Sequence, residues 1–108
     1  MSEKPLLVLT TLSDTDDVEK FAKDLVASEL AACVNVIPEI RSFYCWKSTI
    51  ESAKEVQLLI KTTQALYPAL QSWIEEQHPY EVPEILAIDV AEGLPAYLNW
   101  ISTCTKDC

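Results

Sequence analysis

Residues 31–63 read AACVNVIPEIRSFYCWKSTIESAKEVQLLIKTT, and how this stretch folds decides the architecture. Residues 31–48 are too rich in β-branched and aromatic side chains for a helix, so they read as one long extended run. Pro38 removes a ladder N–H, which predicts a bulge at that point or an edge position for the strand. Lys47-Ser48-Thr49 reads as a turn, and residues 50–63 as the hairpin partner. In that partner Val56, Leu58 and Ile60 alternate to one face, and Gln57, Leu59 and Lys61 to the other. Arms of this length exceed the usual strand of about 5–6 residues, so the hairpin projects beyond its own sheet. Its apolar and aromatic sides, with Phe43, Tyr44 and Trp46, then require a partner, most simply a second copy of the chain.

Outward from the hairpin, both flanks repeat one plan. Residues 5–12, PLLVLTTL, are apolar and β-prone, which predicts a strand covered on both faces. An amphipathic helix follows, capped by Ser13 or Asp14, with Val18, Phe21, Ala22, Leu25 and Val26 at helical spacing. After the hairpin, Leu66, Ala69, Leu70, Trp73 and Ile74 share a face of a second helix. Because Pro68 cannot donate, regular helix begins near Tyr67 or tolerates a distorted first turn after Thr63. Residues 84–90, EILAIDV, read as a strand, and residues 94–104 as a short helix with Pro95 in its first turn. The order β-α-β-β-α-β places the chain in the α+β class. It predicts a ferredoxin-like sandwich with a long central hairpin and a short C-terminal helix, residues 1–108 forming one domain.

Composition narrows the partners. Seventeen acidic against eight basic residues give a net charge of −9, which argues against nucleic acid or an anionic membrane. No segment reaches the roughly 18 apolar residues of a membrane span, and the first residues lack a signal-peptide pattern, so a cytoplasmic location is expected. Cys33, Cys45, Cys104 and Cys108 form no CxxC pair and are expected as free thiols, Cys104 and Cys108 falling on one helical face. With 49% hydrophobic residues and one glycine, the chain carries more apolar surface than a core of this size absorbs, and its turns fall to Pro, Ser, Asp and Asn.

HPYEVPE, residues 78–84, holds the only histidine. Imidazole ligates copper and zinc, so His78 is the candidate metal ligand, with Glu81, Glu84 and Cys33 as possible companions if the fold gathers them. The bland alternative makes His78 a helix-end cap with local hydrogen bonds, and Cys33 an inert buried hydrophobe. Lys61 and Glu84 fall at strand ends, where they pair as a buried ion pair or line an anion pocket. Together with Arg41, Tyr44, Trp46 and Tyr80 they compose a candidate inter-subunit cleft. Asn35, an amide within a strand, must find a partner in the backbone or in another subunit.

LAACVNVIP (30–38), SFYCWK (42–47), EVQLLIKTT (55–63), HPYEVPEI (78–85) and YLNWI (97–101) fall in the order and spacing of the CutA family of divalent-cation tolerance proteins. The resemblance spans nearly the whole chain. It implies a homotrimer whose long hairpins pair between subunits, related in architecture to PII proteins. It also implies binding of copper or other divalent metal ions, a role in the response to metal ions, and no catalytic reaction. A PII-like trimer binding a small anionic metabolite at the inter-subunit cleft is the alternative. The resemblance extends to a copper site attributed to some bacterial members, which uses a cysteine at the end of the first strand and two adjacent histidines before the Pro-Tyr pair. Here Thr10 and Gln77 occupy two of those positions and only His78 matches, so copper binding is expected to be weak or absent. Ser48 stands where the family has glycine in the hairpin turn.

Overall fold

A computed structural model describes residues 3–106. Its elements are β1 (Pro5–Ser13), α1 (Val18–Ala27), β2 (Cys33–Trp46), β3 (Thr49–Thr63), α2 (Tyr67–Gln77), β4 (Leu86–Asp89) and α3 (Pro95–Cys104). The four strands form one antiparallel sheet in the order β2-β3-β1-β4. This is an α+β fold with three helices, and its molecular extents of 47, 27 and 23 Å record the projecting hairpin.

Alternation along β1 and β3 creates the core. Leu6, Val8 and Leu12 of β1, with Leu58 and Ile60 of β3, point to one face, where Phe21 and Leu25 of α1 and Leu70 and Ile74 of α2 cover them. Fully burying each such side chain contributes about 1.5–3 kcal/mol. The opposite face carries Leu7, Leu9 and Leu59, only half-buried in the single chain, so β1 is not sealed on both faces as its apolar run predicts. Both helices of the two crossovers lie on one side, and α3 alone reaches the other, packing across β3 and β1. Leu86 and Ile88 of β4 remain 55% and 46% exposed, a large opening for a small fold.

Pro38 has both predicted consequences. Strand β2 is an edge strand, and its register shifts between Ile37, opposite Gln57, and Ile40, opposite Glu55. Pro38 and Glu39 thus oppose Val56 alone, and Glu39 takes φ 62° to make the bulge. Beyond Ser13 the sheet has no third strand, so Arg41–Trp46 and Thr49–Lys54 form a two-stranded arm. Thr49 pairs with Trp46, leaving Lys47 and Ser48 as a two-residue turn with φ 49° and 67°. Both sit in the left-handed region of a type I′ turn, which favours Asn or Gly. With glycine almost absent, left-handed positions fall to Glu29, Glu39, Lys47 and Ser48, and of the turn residues anticipated Ser48 serves here and Asp14 and Asp16 in the turn before α1.

Local chemistry also corrects the helix boundaries. The cap of α1 is Asp17, whose Oδ1 accepts the Lys20 amide at 3.0 Å, because Ser13 is still paired with Glu55 and residues 14–16 make the turn. A 3₁₀ turn over Gln64–Leu66 precedes α2, so the chain uses a tight first turn and then regular helix with Pro68 among its first residues. Ala69 of the expected apolar stripe is exposed, the buried positions being Leu70 and Ile74. β4 is shorter than residues 84–90, since β1 offers it only Leu6–Leu9. Cys108 lies outside the described residues, so its pairing with Cys104 on a helical face does too.

Candidate functional site

The connector from α2 to β4 begins at His78, whose ring is buried at 7% exposure. Because β4 stops opposite Leu9, the next stretch of β1 has no strand neighbour on that side, and the His78 side chain fills the role. Its Nε2 donates to the Thr11 carbonyl at 2.6 Å, and its Nδ1 accepts the Tyr80 amide N–H at 3.1 Å. A carbonyl only accepts and an amide N–H only donates, so the partners select the neutral Nε2–H tautomer. Tyr80 lies edge-on to the ring at 4.6 Å, and Phe21 of α1 does so at 6.1 Å. Both nitrogens are therefore engaged within the chain. No lone pair of the ring is available to a metal in this conformation; the backbone N–H of His78 closes α2 on the Ile74 carbonyl, while the ring itself reaches Thr11 and Tyr80.

Tyr80 carries the connector onward. Its hydroxyl donates to Glu55 Oε2 at 2.7 Å, and Glu55 is buried at 7% exposure where β1 ends against the base of the hairpin arm. Burial pushes the Tyr80 phenol well above its ordinary range, reinforced by the hydrogen bond to Glu55 and by that carboxylate's charge, with Asp16 and Tyr44 adding to it. Glu55 was not singled out by its sequence position. Its neighbour Val56 marks a strand, and nothing local announces that a tyrosine 25 residues away closes on it.

The other sequence candidates lie elsewhere. Lys61 donates to Asn35 Oδ1 and sits 5.9 Å from the Tyr97 ring of α3. Register explains the pair: Cys33 opposes Lys61 and Asn35 opposes Leu59, which makes Asn35 a diagonal neighbour of Lys61 on one face. Within the chain Asn35 thus finds a side chain, that of Lys61. Glu84 is exposed, and among the described residues no ion pair joins it to Lys61. Arg41 lies over Phe43 at 5.5 Å on the arm, while Tyr44 and Trp46 are about two-fifths exposed there. Among the described residues no hydrogen bond or ion pair links any two of the six cleft candidates. Cys33 is half-buried opposite Lys61 in the sheet, and Cys33, Cys45 and Cys104 are free thiols. Thr10 is fully buried and Gln77 exposed, so the two substituted ligand positions have opposite environments. Among the described residues no three His, Cys, Asp or Glu side chains converge as a metal site, and no helix is long and apolar enough to cross a membrane.

Comparison with known proteins agrees with this architecture. The chain is 41% identical to the divalent-cation tolerance protein CutA of Thermus thermophilus over 95 residues, covering 88% of this chain and 92% of that protein. It is 47% identical to mouse Protein CutA over 92 residues, 82% of this chain but 52% of the mouse protein, so it spans about half the length of that relative. Among solved structures, CutA1 from Oryza sativa superposes with a TM-score of 0.93 at 31% identity, covering 99% of this chain and 98% of that one. The Thermus thermophilus protein superposes with a TM-score of 0.86 at 40% identity, over 90% and 94% of the two chains. Residues 6–104 match the profile of the CutA1 divalent ion tolerance proteins, and the chain belongs to that family.

Proposed function

We propose that the protein is a non-catalytic, cytoplasmic homotrimer acting in the response to divalent metal ions, binding copper or a related ion weakly at positions completed between subunits. The family match over residues 6–104 carries this reading. Two further features support it. The second face of a ferredoxin-like sheet presents half-buried Leu7, Leu9 and Leu59 beside exposed Leu86 and Ile88, an apolar surface that a monomer leaves open. The hairpin arm leaves Phe43 and Ile50 at 67% and 81% exposure, and a two-stranded ribbon of this kind is marginal unless it packs on something.

In this reading His78 holds the connector and is not the ligand, because Nδ1 would first have to release the Tyr80 amide. Calorimetric titration of the tag-free trimer with Cu(II) is expected to show saturable, weak binding that His78→Ala leaves unchanged. The same substitution is expected to cost about 1–3 kcal/mol of stability, since it strands the buried partners of the ring. Absence of any saturable copper isotherm defeats the metal assignment. Loss of binding in the folded variant restores the histidine as a ligand.

A further inference from the structure

Between α1 and α2 runs an open groove of about 240 Å³, closed at one end by Gln77 and by Pro79 of the connector. Its apolar lining includes Leu12 from the sheet, Phe21 from α1 and Trp73 from α2, the two rings meeting edge-to-face at 5.1 Å. Trp73 is only half-buried although it packs against the core, so part of the indole faces the groove's solvent. Asp17, Phe21 and Asp24 recur at i, i+4 and i+7, which puts both carboxylates on the stripe of α1 that carries the aromatic ring. Asp16 joins them from the preceding turn.

Charge selects the occupant. Three aspartates line the groove against one lysine, Lys20, and that lysine is held by Asp24 at 2.6 Å. Each carboxylate is engaged through one oxygen: Asp16 by the Ser13 amide, Asp17 by the Lys20 amide and Asp24 by the Lys20 ammonium. A carboxylate has about four acceptor sites, so capacity remains for a further donor. A half-exposed indole beside carboxylates suits a planar cation, which can stack on the ring while donating to oxygen in fork geometry. We propose that this groove is a docking site for an arginine side chain presented by a partner protein.

The test follows the Trp73 indole N–H resonance of the ¹⁵N-labelled full chain, assigned by its disappearance in Trp73→Phe. Titration with the tripeptide Ac-Ala-Arg-Ala-NH2 is expected to shift that resonance saturably in the millimolar range, with the indoles of Trp46 and Trp100 unmoved. Substituting citrulline for arginine keeps the shape and removes the charge, and is expected to abolish saturation. The lysine peptide is expected to bind several-fold more weakly than arginine. Asp16→Asn combined with Asp24→Asn is expected to weaken the arginine peptide about fivefold, the scale of partly exposed charge pairs. The carboxamide oxygen introduced by Asp16→Asn can still accept the Ser13 amide, so the turn is retained, and a dispersed spectrum verifies the fold. No saturable shift, an equal response to citrulline or lysine, or unchanged affinity in the folded double variant overturns the proposal.

Discussion

Thr10 is fully buried on the core face of β1, and among the described residues its hydroxyl has no hydrogen-bond partner. A buried, unpartnered hydroxyl costs about 1–3 kcal/mol, whereas valine keeps nearly the same shape without the polar atom. Thr10→Val is therefore expected to leave stability unchanged or to raise it by about 1 kcal/mol in urea unfolding; a loss beyond about 1 kcal/mol would show that the hydroxyl has a partner. Tyr80 makes a second residue-scale prediction. Its phenol ionises at higher pH in the folded protein than in the unfolded chain, where the ordinary value is about 10. The neutral form is thus favoured by folding, and its contribution is intact below about pH 10 and lost as pH rises through the folded value. Melting curves from about pH 8 to 11 are expected to fall more steeply for the wild type than for Tyr80→Phe. Parallel curves would show that neither burial nor Glu55 raises the Tyr80 phenol in the folded protein.

At the scale of an element, the hairpin arm shows what the chain sacrifices by using so little glycine. Lys47 and Ser48 both adopt left-handed backbone at a turn where a Cβ costs about 1–2 kcal/mol per residue. Ser48→Gly relieves that strain, partly offset by the greater freedom of glycine in the unfolded chain. The net expectation is a gain of about 0.5–1 kcal/mol, seen as a rise in melting temperature; a fall would show that the Ser48 side chain makes a contact worth more than the strain. The hairpin that carries the arm was legible in the sequence, since alternation of Val56, Leu58 and Ile60 sets its register at the sheet and Pro38 marks the bulge. The helix stripes were legible for the same reason, as Phe21, Leu25, Leu70 and Ile74 recur at helical spacing and are buried. The start of α1 was not. Ser13, Asp14 and Asp17 are all good caps, and only the pairing of Ser13 with Glu55 in the sheet decides among them.

For the whole molecule, the open sheet face and the protruding arm predict assembly. Light scattering is expected to return three times the 12.1 kDa chain mass. Leu86→Asp, which places a charge on the exposed β4 surface, is expected to shift the population toward the single-chain mass. A wild-type mass of one chain would overturn the trimer, and an unchanged assembly in Leu86→Asp would move the interface elsewhere. Taken by itself, the sequence determined the elements, their order and the family, because hydrophobic alternation and turn chemistry act locally and leave a readable period. Only the tertiary structure decided the candidate site. His78 drew attention as the one histidine, yet its ring is saturated by Thr11, 67 residues away, and by the amide of Tyr80. Lys61 and Glu84, which strand ends alone would have paired, part company because the cross-strand diagonal gives Lys61 to Asn35. Hydrogen-bond partners distant in sequence are chosen by where β4 stops and by how β2 registers on β3, and neither is a local property of the residues involved.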